Sequence, residues 1–384
     1  MSLVYSEEQQ LLADTAAEFL MAKSPVAAQR ALRDAGAAEG FDAALWREIV
    51  DMGWSAIPFP ESLGGLAFGC KGLGAVFEQI GRKLSASPLL SSVVLGGAVI
   101  ELAGTEAQQA EWMAALIGGG KRIALAVDEQ PRHDPAGIAL RAESNAGGYL
   151  LNGSKTFVAD GIGADAYVVA ARSAGRPGER AGISLFLVPA DAPGLRMSPM
   201  RMLDSRNHAV LALDGVQIGA DALLGAAGEG FDVLDAALDR GRVCLAAELL
   251  GASQALLDMT VEYLKTRVQF DVPIGSFQAL QHRAAWCHAH QELARSAVMA
   301  GLAALDDPAL DGAARARLAS LAKWKAGDAA HRISREAVQM HGGMGVTDEL
   351  DVGLFLKRIR VAQACLGDGD FHVQRYGELG TAED

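Results

Sequence analysis

The sequence predicts an α+β multidomain chain: an N-terminal helical domain, a central small β-barrel or sandwich, and a C-terminal four-helix bundle. Two observations carry that reading. Strand-like runs punctuated by turn residues are confined to the middle of the chain, and four unusually long helical patterns follow them. A third observation, the lack of any strand–helix alternation, excludes a doubly wound parallel sheet. The expected domains are residues 1–121, 122–229 and 230–384.

The elements follow in order. Ser6-x-x-Gln9 is a capping box, and Leu11, Leu12, Ala16, Phe19 and Leu20 follow it at helical spacing. Further helices are expected over 41–52, 72–81, 89–102 and 105–117, with Pro58, Pro60, Gly64 and Gly65 breaking the pattern between them. After Gly118-Gly119-Gly120 the periodicity changes. Residues 122–127, 138–143, 149–151, 155–159, 166–171, 183–188 and 210–213 read as strands, with Asn152-Gly153 as a hairpin turn. Helical patterns then cover 231–266, 278–305, 313–342 and 349–366, and Pro273-Ile274-Gly275 divides the first from the second.

Bulk properties narrow the function. A length of 384 residues suits two or three packed domains, and 50% apolar with 21% charged residues is ordinary for a soluble globular chain. The net charge is −13, with no Lys/Arg run and no aromatic-basic stripe, which argues against a nucleic-acid partner. The longest apolar runs, such as 91–100, are too short to span a bilayer. The first ten residues carry two Glu and no basic residue, so they do not read as a signal or transit peptide. Cys70, Cys244, Cys287 and Cys365 are scattered without C-x-x-C spacing, which fits a reduced cytoplasm and argues against a disulfide scaffold or zinc cluster.

Several motifs have bland readings. The glycine cluster at 225–230 lacks both nucleotide-loop spacings and reads as a flexible entry into the helix at Phe231. His288 and His290 point about 200° apart on a helix, so with His282 they do not form a ligand face. No metal spacing and no nucleophile elbow occurs. Three segments carry more. Arg267-Val-Gln-Phe-Asp-Val-Pro-Ile-Gly-Ser-Phe-Gln278 joins two helices. Gln339-Met-His-Gly-Gly-Met-Gly345 ends a third in three glycines. Gly367-Asp-Gly-Asp-Phe-His-Val-Gln-Arg375 opens a Gly/Asp-rich loop. Together they read as a dinucleotide site made from helix ends.

These segments, with NGSK before Phe157 and GEGFDVLDAALDRGR at 228–242, resemble the acyl-CoA dehydrogenase family. The family's corresponding pieces read R-x-x-F-G-x-x-[IL]-x-x-x-Q, Q-x-x-G-G-x-G and N-G-x-K-x-W-I-[TS]-N. The resemblance runs from Glu7 to Tyr376, in the same α-β-α order. It implies FAD bound between the β domain and the bundle, with the ADP half crossing to a neighbouring subunit. By the match, Arg267, Gln269, Phe270 and Gln278 would hold pyrophosphate and adenine, and Gln339, Gly342 and Gly343 would do so from the partner chain. A planar Arg fork and backbone without Cβ suit that task. The flavin ring would rest against Val127, Phe157, Val158 and Ala159, with Asp370 and His372 also contacting the cofactor.

The implied reaction is α,β-dehydrogenation of an acyl-CoA thioester. A carboxylate takes the α-proton while hydride leaves the β-carbon for flavin N5, and donors to the thioester oxygen stabilise the enolate. The family motif Y-E-G-T-x-x-[IL]-Q-R corresponds to residues 367–375, and counting back from Arg375 puts Asp368 on the catalytic Glu. A shift of one would put Gly367 there and leave no base. Members that carry the base on the long helix would have it at Gly241, so Asp368 stands alone. Arg242 matches an Arg behind the base, and Leu238 and Asp239 match residues near the pantetheine.

The departures matter. The family's T-E-P-G-x-G-S-D reads Val-Asp-Glu-Gln-Pro-Arg-His-Asp from Val127, which weakens the expected flavin phosphate contact near His133. The usual Trp is Phe157, and the usual hydroxyl residue reaching N5 is Ala159. Asp is shorter than Glu, a difference in reach of about 1.5 Å, which is large for proton transfer. The chain is also similar to the small-subunit, pimeloyl-CoA dehydrogenase-like type, which pairs with a second related chain. Partners implied are an acyl-CoA, an electron-transferring flavoprotein as acceptor, and a homo- or hetero-oligomer built as a dimer of dimers. Two alternatives stay open: a flavin-binding partner subunit whose base comes from another chain, and a nitroalkane-oxidase- or flavin-monooxygenase-like enzyme of the same fold.

Overall fold

The structure, a computed structural model, describes residues 2–381. Its elements are α1 (Glu7–Lys23), α2 (Val26–Ala35), α3 (Ala43–Asp51), α4 (Gly69–Lys83), a π-helical turn (Leu89–Gly97) continuing into α5 (Ala98–Ala103), and α6 (Glu106–Ile117). Strands follow: β1 (Ile123–Ala126), β2 (Arg141–Asn145), β3 (Gly148–Ala159), β4 (Ala166–Arg172), β5 (Ile183–Pro189), β6 (Leu195–Pro199), β7 (His208–Ile218) and β8 (Leu223–Leu224). Then come α7 (Phe231–Thr266), the hairpin β9 (Val268–Gln269) and β10 (Val272–Pro273), α8 (Gln278–Asp306), α9 (Gly312–His341), α10 (Val352–Ala364) and α11 (Gly369–Thr381).

Local chemistry fixes many ends. The Ser6–Gln9 capping box is formed, with Gln9 N donating to Ser6 Oγ at 3.2 Å and Ser6 N to Gln9 Oε1 at 3.0 Å. Thr105 and Gln108 form a second one at α6, and Asp42 and Asp311 cap α3 and α9.

Two expectations are corrected. Asn152-Gly153 is not a hairpin turn: β3 runs through it with a register shift, pairing with β2 on one side and β7 on the other. Asn152 Oδ1 instead accepts from Gly215 N at 2.8 Å. The turn lies at residues 145–148, where Asn145 Oδ1 accepts from Gly147 N at 2.8 Å. The fourth long helix is shorter than expected. It ends at Ala364, and after a loop at 365–368 a further helix, α11, begins at Gly369.

By contact the chain groups into two compact units. One comprises residues 32–69 and 86–241 and contains the sheet, in the order β6-β7-β3-β2-β4-β5-β8 with β1 parallel to β4. β4 is buried along its whole length, and Leu151, Tyr167, Phe186, Leu211 and Val216 lie in the sheet's core. Helices α5 and α6 belong to this unit, and Gln108 Nε2 ties α6 to the carbonyls of Asp221 and Leu223 at 2.7 and 3.1 Å.

The other unit comprises residues 1–31, 70–85 and 242–384 and contains α8–α11 with most of α7, α4 and α1. α4 and α7 meet backbone to backbone. A Cβ on Gly81 would lie 1.9 Å from Glu248 O, and one on Gly251 would lie 1.8 Å from Glu78 O, so only glycine fits at either place. Arg358 grips the buried Glu248 with two bonds, at 2.7 and 2.9 Å. Arg295 pairs with the buried Glu78 at 2.8 Å. By length and composition α7 could cross a membrane, but 78% of its apolar stretch is buried inside the protein, as in a core helix.

Candidate functional site

In the bundle unit, the predicted residues gather at two places. At one end, the β9–β10 hairpin presents Arg267, Gln269, Phe270 and Gln278, all exposed, with Phe270 86% accessible. The hairpin is closed by Ile274 N donating to Arg267 O at 2.8 Å. Tyr263, in the last turn before it, stacks on His341 with centroids 4.4 Å apart. That stack brings the end of α9, and with it Gln339, Gly342 and Gly343, to the same end of the bundle. Added Cβ atoms at Gly342 and Gly343 would meet nothing within 4 Å. The guanidinium and amides of the hairpin, and the amide and open glycine backbone at the end of α9, are each donors of the kind an anionic dinucleotide such as FAD takes.

The second place is the loop at 365–368 between α10 and α11. Leu366 has φ +58° and Gly367 φ +106°. This turn directs three carbonyls onto two buried cations. Arg242 Nε donates to Leu366 O at 3.3 Å, and its guanidinium lies 5.4 Å from the Phe371 ring centroid. Lys323 Nζ donates to Gln363 O at 2.9 Å and Gly367 O at 3.1 Å. Arg242 is fully buried and Lys323 nearly so. Burial drives the Lys323 ammonium down to about 7, with Cys365 and Asp368 opposing that shift and Arg242 and Arg358 adding to it.

The loop also decides where a carboxylate can sit. A Cβ on Gly367 would lie 2.4 Å from Phe371 Cδ1 and 2.9 Å from His372 Nε2, so a side chain there would force the rings or the loop to shift. Asp368 is the loop's carboxylate. It is exposed in the single protomer, and its Oδ1 accepts from Phe371 N at 2.9 Å, which makes it the N-cap of α11. Arg375, the end of the motif, is buried and donates to Ala316 O and Ser320 Oγ at 3.1 and 2.9 Å, fastening α11 to α9. Asp370 is exposed, and His372 is 1% exposed, edge-on to Phe371.

In the sheet unit, Val127 is stitched to the strand bearing Phe157, Val158 and Ala159. Lys155 Nζ donates to Val127 O at 2.9 Å and to Glu129 Oε1 at 2.7 Å, and Thr156 N donates to Asp128 O at 2.7 Å. The Glu129 carboxylate also accepts from Ala139 N and Leu140 N, at 2.8 and 3.0 Å. Burial lowers the Lys155 ammonium to about 8, against the pull of Glu129 and Asp128. Phe157 has φ +53°, a conformation that costs a non-glycine residue about 1–3 kcal/mol and holds only where its surroundings enforce it. Val158 is buried, and Phe157 and Ala159 are half-buried. His133 Nδ1 lies 2.8 Å from Asp128 Oδ1, so this departure from the family stretch is itself knitted together. Leu238 and Asp239 on α7 are buried in the same unit.

Two lysines, Lys155 and Lys323, and the carboxylate of Glu129 emerge here beyond the expected set. Lys323 had a signal: it sits on the stripe Ala316, Ala319, Ser320, Ala326, Ala330, which is otherwise small and buried. The glycines at 225–230 lead into α7, with Gly230 N bonded to Ile183 O at 2.7 Å. Among the described residues no cluster of three His, Cys, Asp or Glu could hold a metal ion, and His290 packs on Trp286.

Comparison with known proteins follows the same lines. Three family models match consecutive stretches: the acyl-CoA dehydrogenase N-terminal domain at residues 6–120, the middle domain at 125–216 and the C-terminal domain at 228–378. An acyl-CoA dehydrogenase of Mycobacterium tuberculosis is 32% identical over 323 residues, 83% of each chain. Among solved structures, butyryl-CoA dehydrogenase from Megasphaera elsdenii superposes with a TM-score of 0.89 at 27% identity, covering 100% of both chains. The ChsE4–ChsE5 complex of Mycobacterium tuberculosis gives 0.89 at 29% identity with the same coverage.

Proposed function

The chain belongs to the acyl-CoA dehydrogenase family, whose members are FAD-dependent oxidoreductases, and we propose that in its reaction Asp368 takes the α-proton of an acyl-CoA thioester. FAD, when bound, supplies the acceptor for the hydride that leaves the β-carbon. The observation that supports the reading is the loop itself: of the four residues between α10 and α11, Gly367 is packed tightly against Phe371 and His372, and Asp368 beside it is the one carboxylate. The chain's own residues then do three things. Arg242 and Lys323 fix the backbone of the loop from beneath, and Phe371 N holds one carboxylate oxygen of Asp368, leaving the other to accept a proton. Lys155 fixes Val127 beside the strand of Phe157–Ala159, which would back the ring. Arg267, Gln269, Phe270 and Gln278 would hold the dinucleotide half, joined by Gln339, Gly342 and Gly343 from a neighbouring copy, and Leu238 and Asp239 would lie near the pantetheine. We take the acceptor of the reducing equivalents to be an electron-transferring flavoprotein and the setting to be cytoplasmic.

One observation favours a second reading. Asp368 is short and already engaged as a helix cap, and over its whole length the chain resembles one chain of a structure solved as a two-protein complex. In that reading it is the flavin-binding subunit of a heteromeric enzyme, with the base supplied by the other chain. Anaerobic titration of the FAD-loaded protein with a panel of acyl-CoAs separates the two. Bleaching of the flavin names the substrate class and supports the first. No bleaching with any thioester at full flavin occupancy contradicts it and turns the search to a partner subunit.

A further inference from the structure

We propose that Lys323 is a positioning residue for the base, fixing the peptide that carries Asp368 by clamping Gln363 O and Gly367 O; this rests on the reading of Asp368 as base. Lys323 is 1% exposed, and both partners of its ammonium are neutral carbonyls. A buried ammonium without a carboxylate in contact opposes folding, and its lowered proton affinity expresses that cost. Leu or Met would fill the same volume on a stripe of Ala316, Ala319, Ala322 and Ala326 without the cost. What Lys adds is reach and three donors at a fixed point.

That point is the turn. Gln363 O is one of the last carbonyls of α10, an orphan of its helix, and Gly367 O belongs to the peptide immediately before Asp368. Holding Gly367 O fixes the plane of the 367–368 peptide, and therefore the direction in which the Asp368 side chain leaves the backbone. Arg242 acts one residue earlier, on Leu366 O, from another helix. Two helices, α7 and α9, thus each contribute one cation to successive carbonyls of a turn whose φ of +58° at Leu366 is not self-sustaining. The charged and titratable groups facing Lys323 are Cys365, Asp368, Arg242 and Arg358. With the two arginines permanently charged, loss of the Lys323 proton leaves Arg242 as the loop's only cationic anchor among those groups in bonding contact with it.

The test compares wild-type and Lys323→Met protein, both FAD-loaded. The expected result is a rate of flavin reduction by acyl-CoA at least tenfold lower, with KM and flavin content within about threefold. Amides of residues 365–372 should exchange hydrogen at least tenfold faster, while the rest of α9 and α7 is unchanged. Unchanged exchange at 365–372 overturns the proposal, as does a fall in rate matched by an equal loss of flavin and of protection throughout the bundle. Should the Met variant fail to fold, Lys323→Gln, which keeps a single amide donor in place of three, decides: exchange at 365–372 should still be at least tenfold faster, and unchanged exchange overturns the clamp. If wild-type protein reduces no flavin with any acyl-CoA, the base assignment fails while the exchange data still judge the clamp.

Discussion

Gly367→Ala probes the geometry on which the base assignment stands. The new Cβ would lie 2.4 Å from Phe371 Cδ1 and 2.9 Å from His372 Nε2, where ordinary contact begins at 3.4 Å, so the ring or the loop must retreat by about 1 Å. The backbone adds its own cost, because φ +106° is a conformation glycine adopts freely and alanine does not. If nothing moved, strain and overlap together would amount to roughly 2–6 kcal/mol. His372 is 1% exposed and Arg375 pins α11, so the α11 side is stiff and the loop gives way instead. A 1 Å shift there takes Gly367 O away from Lys323 and moves Asp368, and displacement of that order costs about 10²-fold in rate. The expectation is a folded, flavin-containing variant with a thermal midpoint lowered by a few degrees and flavin reduction slowed about a hundredfold. Thermal unfolding and anaerobic rapid mixing measure the two. A variant that reduces its flavin within threefold of wild type would refute the claim that this turn positions the base.

Further consequences are open to the same methods. Asp368→Ala removes the cap of α11 and should lower stability by about 1 kcal/mol, whereas Asp368→Asn keeps an oxygen for Phe371 N and should lose only a few tenths in chemical denaturation. Lys155→Met takes the buried ammonium from the half-buried Glu129, which keeps its bonds from Ala139 N and Leu140 N, and should destabilise by about 1–3 kcal/mol; adding Glu129→Gln should recover part of that loss, and a strictly additive double-mutant cycle would argue against the pair. The two depressed lysines give a pH dependence with a definite sign. Between about 7 and 10.5 for Lys323, and about 8 and 10.5 for Lys155, the unfolded chain holds a proton that the folded chain lacks. Stability therefore rises with pH across these windows, by up to about 1.4 kcal/mol per pH unit per lysine. Burial raises the Tyr5 hydroxyl, which opposes this only above pH 10. Denaturation midpoints from pH 7 to 9.5 should climb, and Lys323→Met should flatten the climb between 7 and 8.

Much of this was legible in the sequence, for local reasons. The count from Arg375 back to Asp368 uses neighbouring residues alone, whereas the tight packing around Gly367 depends on how the Phe371 and His372 rings are set. The capping boxes at Ser6 and Thr105 are three-residue signals that depend on nothing distant. Where pairing is long-range, local signals misled. Asn152-Gly153 has the composition of a turn, but β3 is recruited by β2 and β7 on both sides, and two ladders outweigh one dipeptide. The break after Ala364 was missed because apolar periodicity continues to Leu366, while the helix stops when the chain turns its carbonyls onto Arg242 and Lys323. Lys323 was legible only as a charge on a small-residue stripe. Its purpose depends on carbonyls some forty residues away in sequence, which no spacing rule connects.

The role of Asp368 as base is tested most directly by rapid mixing of FAD-loaded wild-type and Asp368→Asn protein with an acyl-CoA that bleaches the wild-type flavin. With general-base catalysis by Asp368, reduction in the Asn variant should slow by about 10²–10⁴-fold while acyl-CoA still binds and stability hardly changes. Reduction at the wild-type rate in the Asn variant would contradict the account and place the base elsewhere in the assembly.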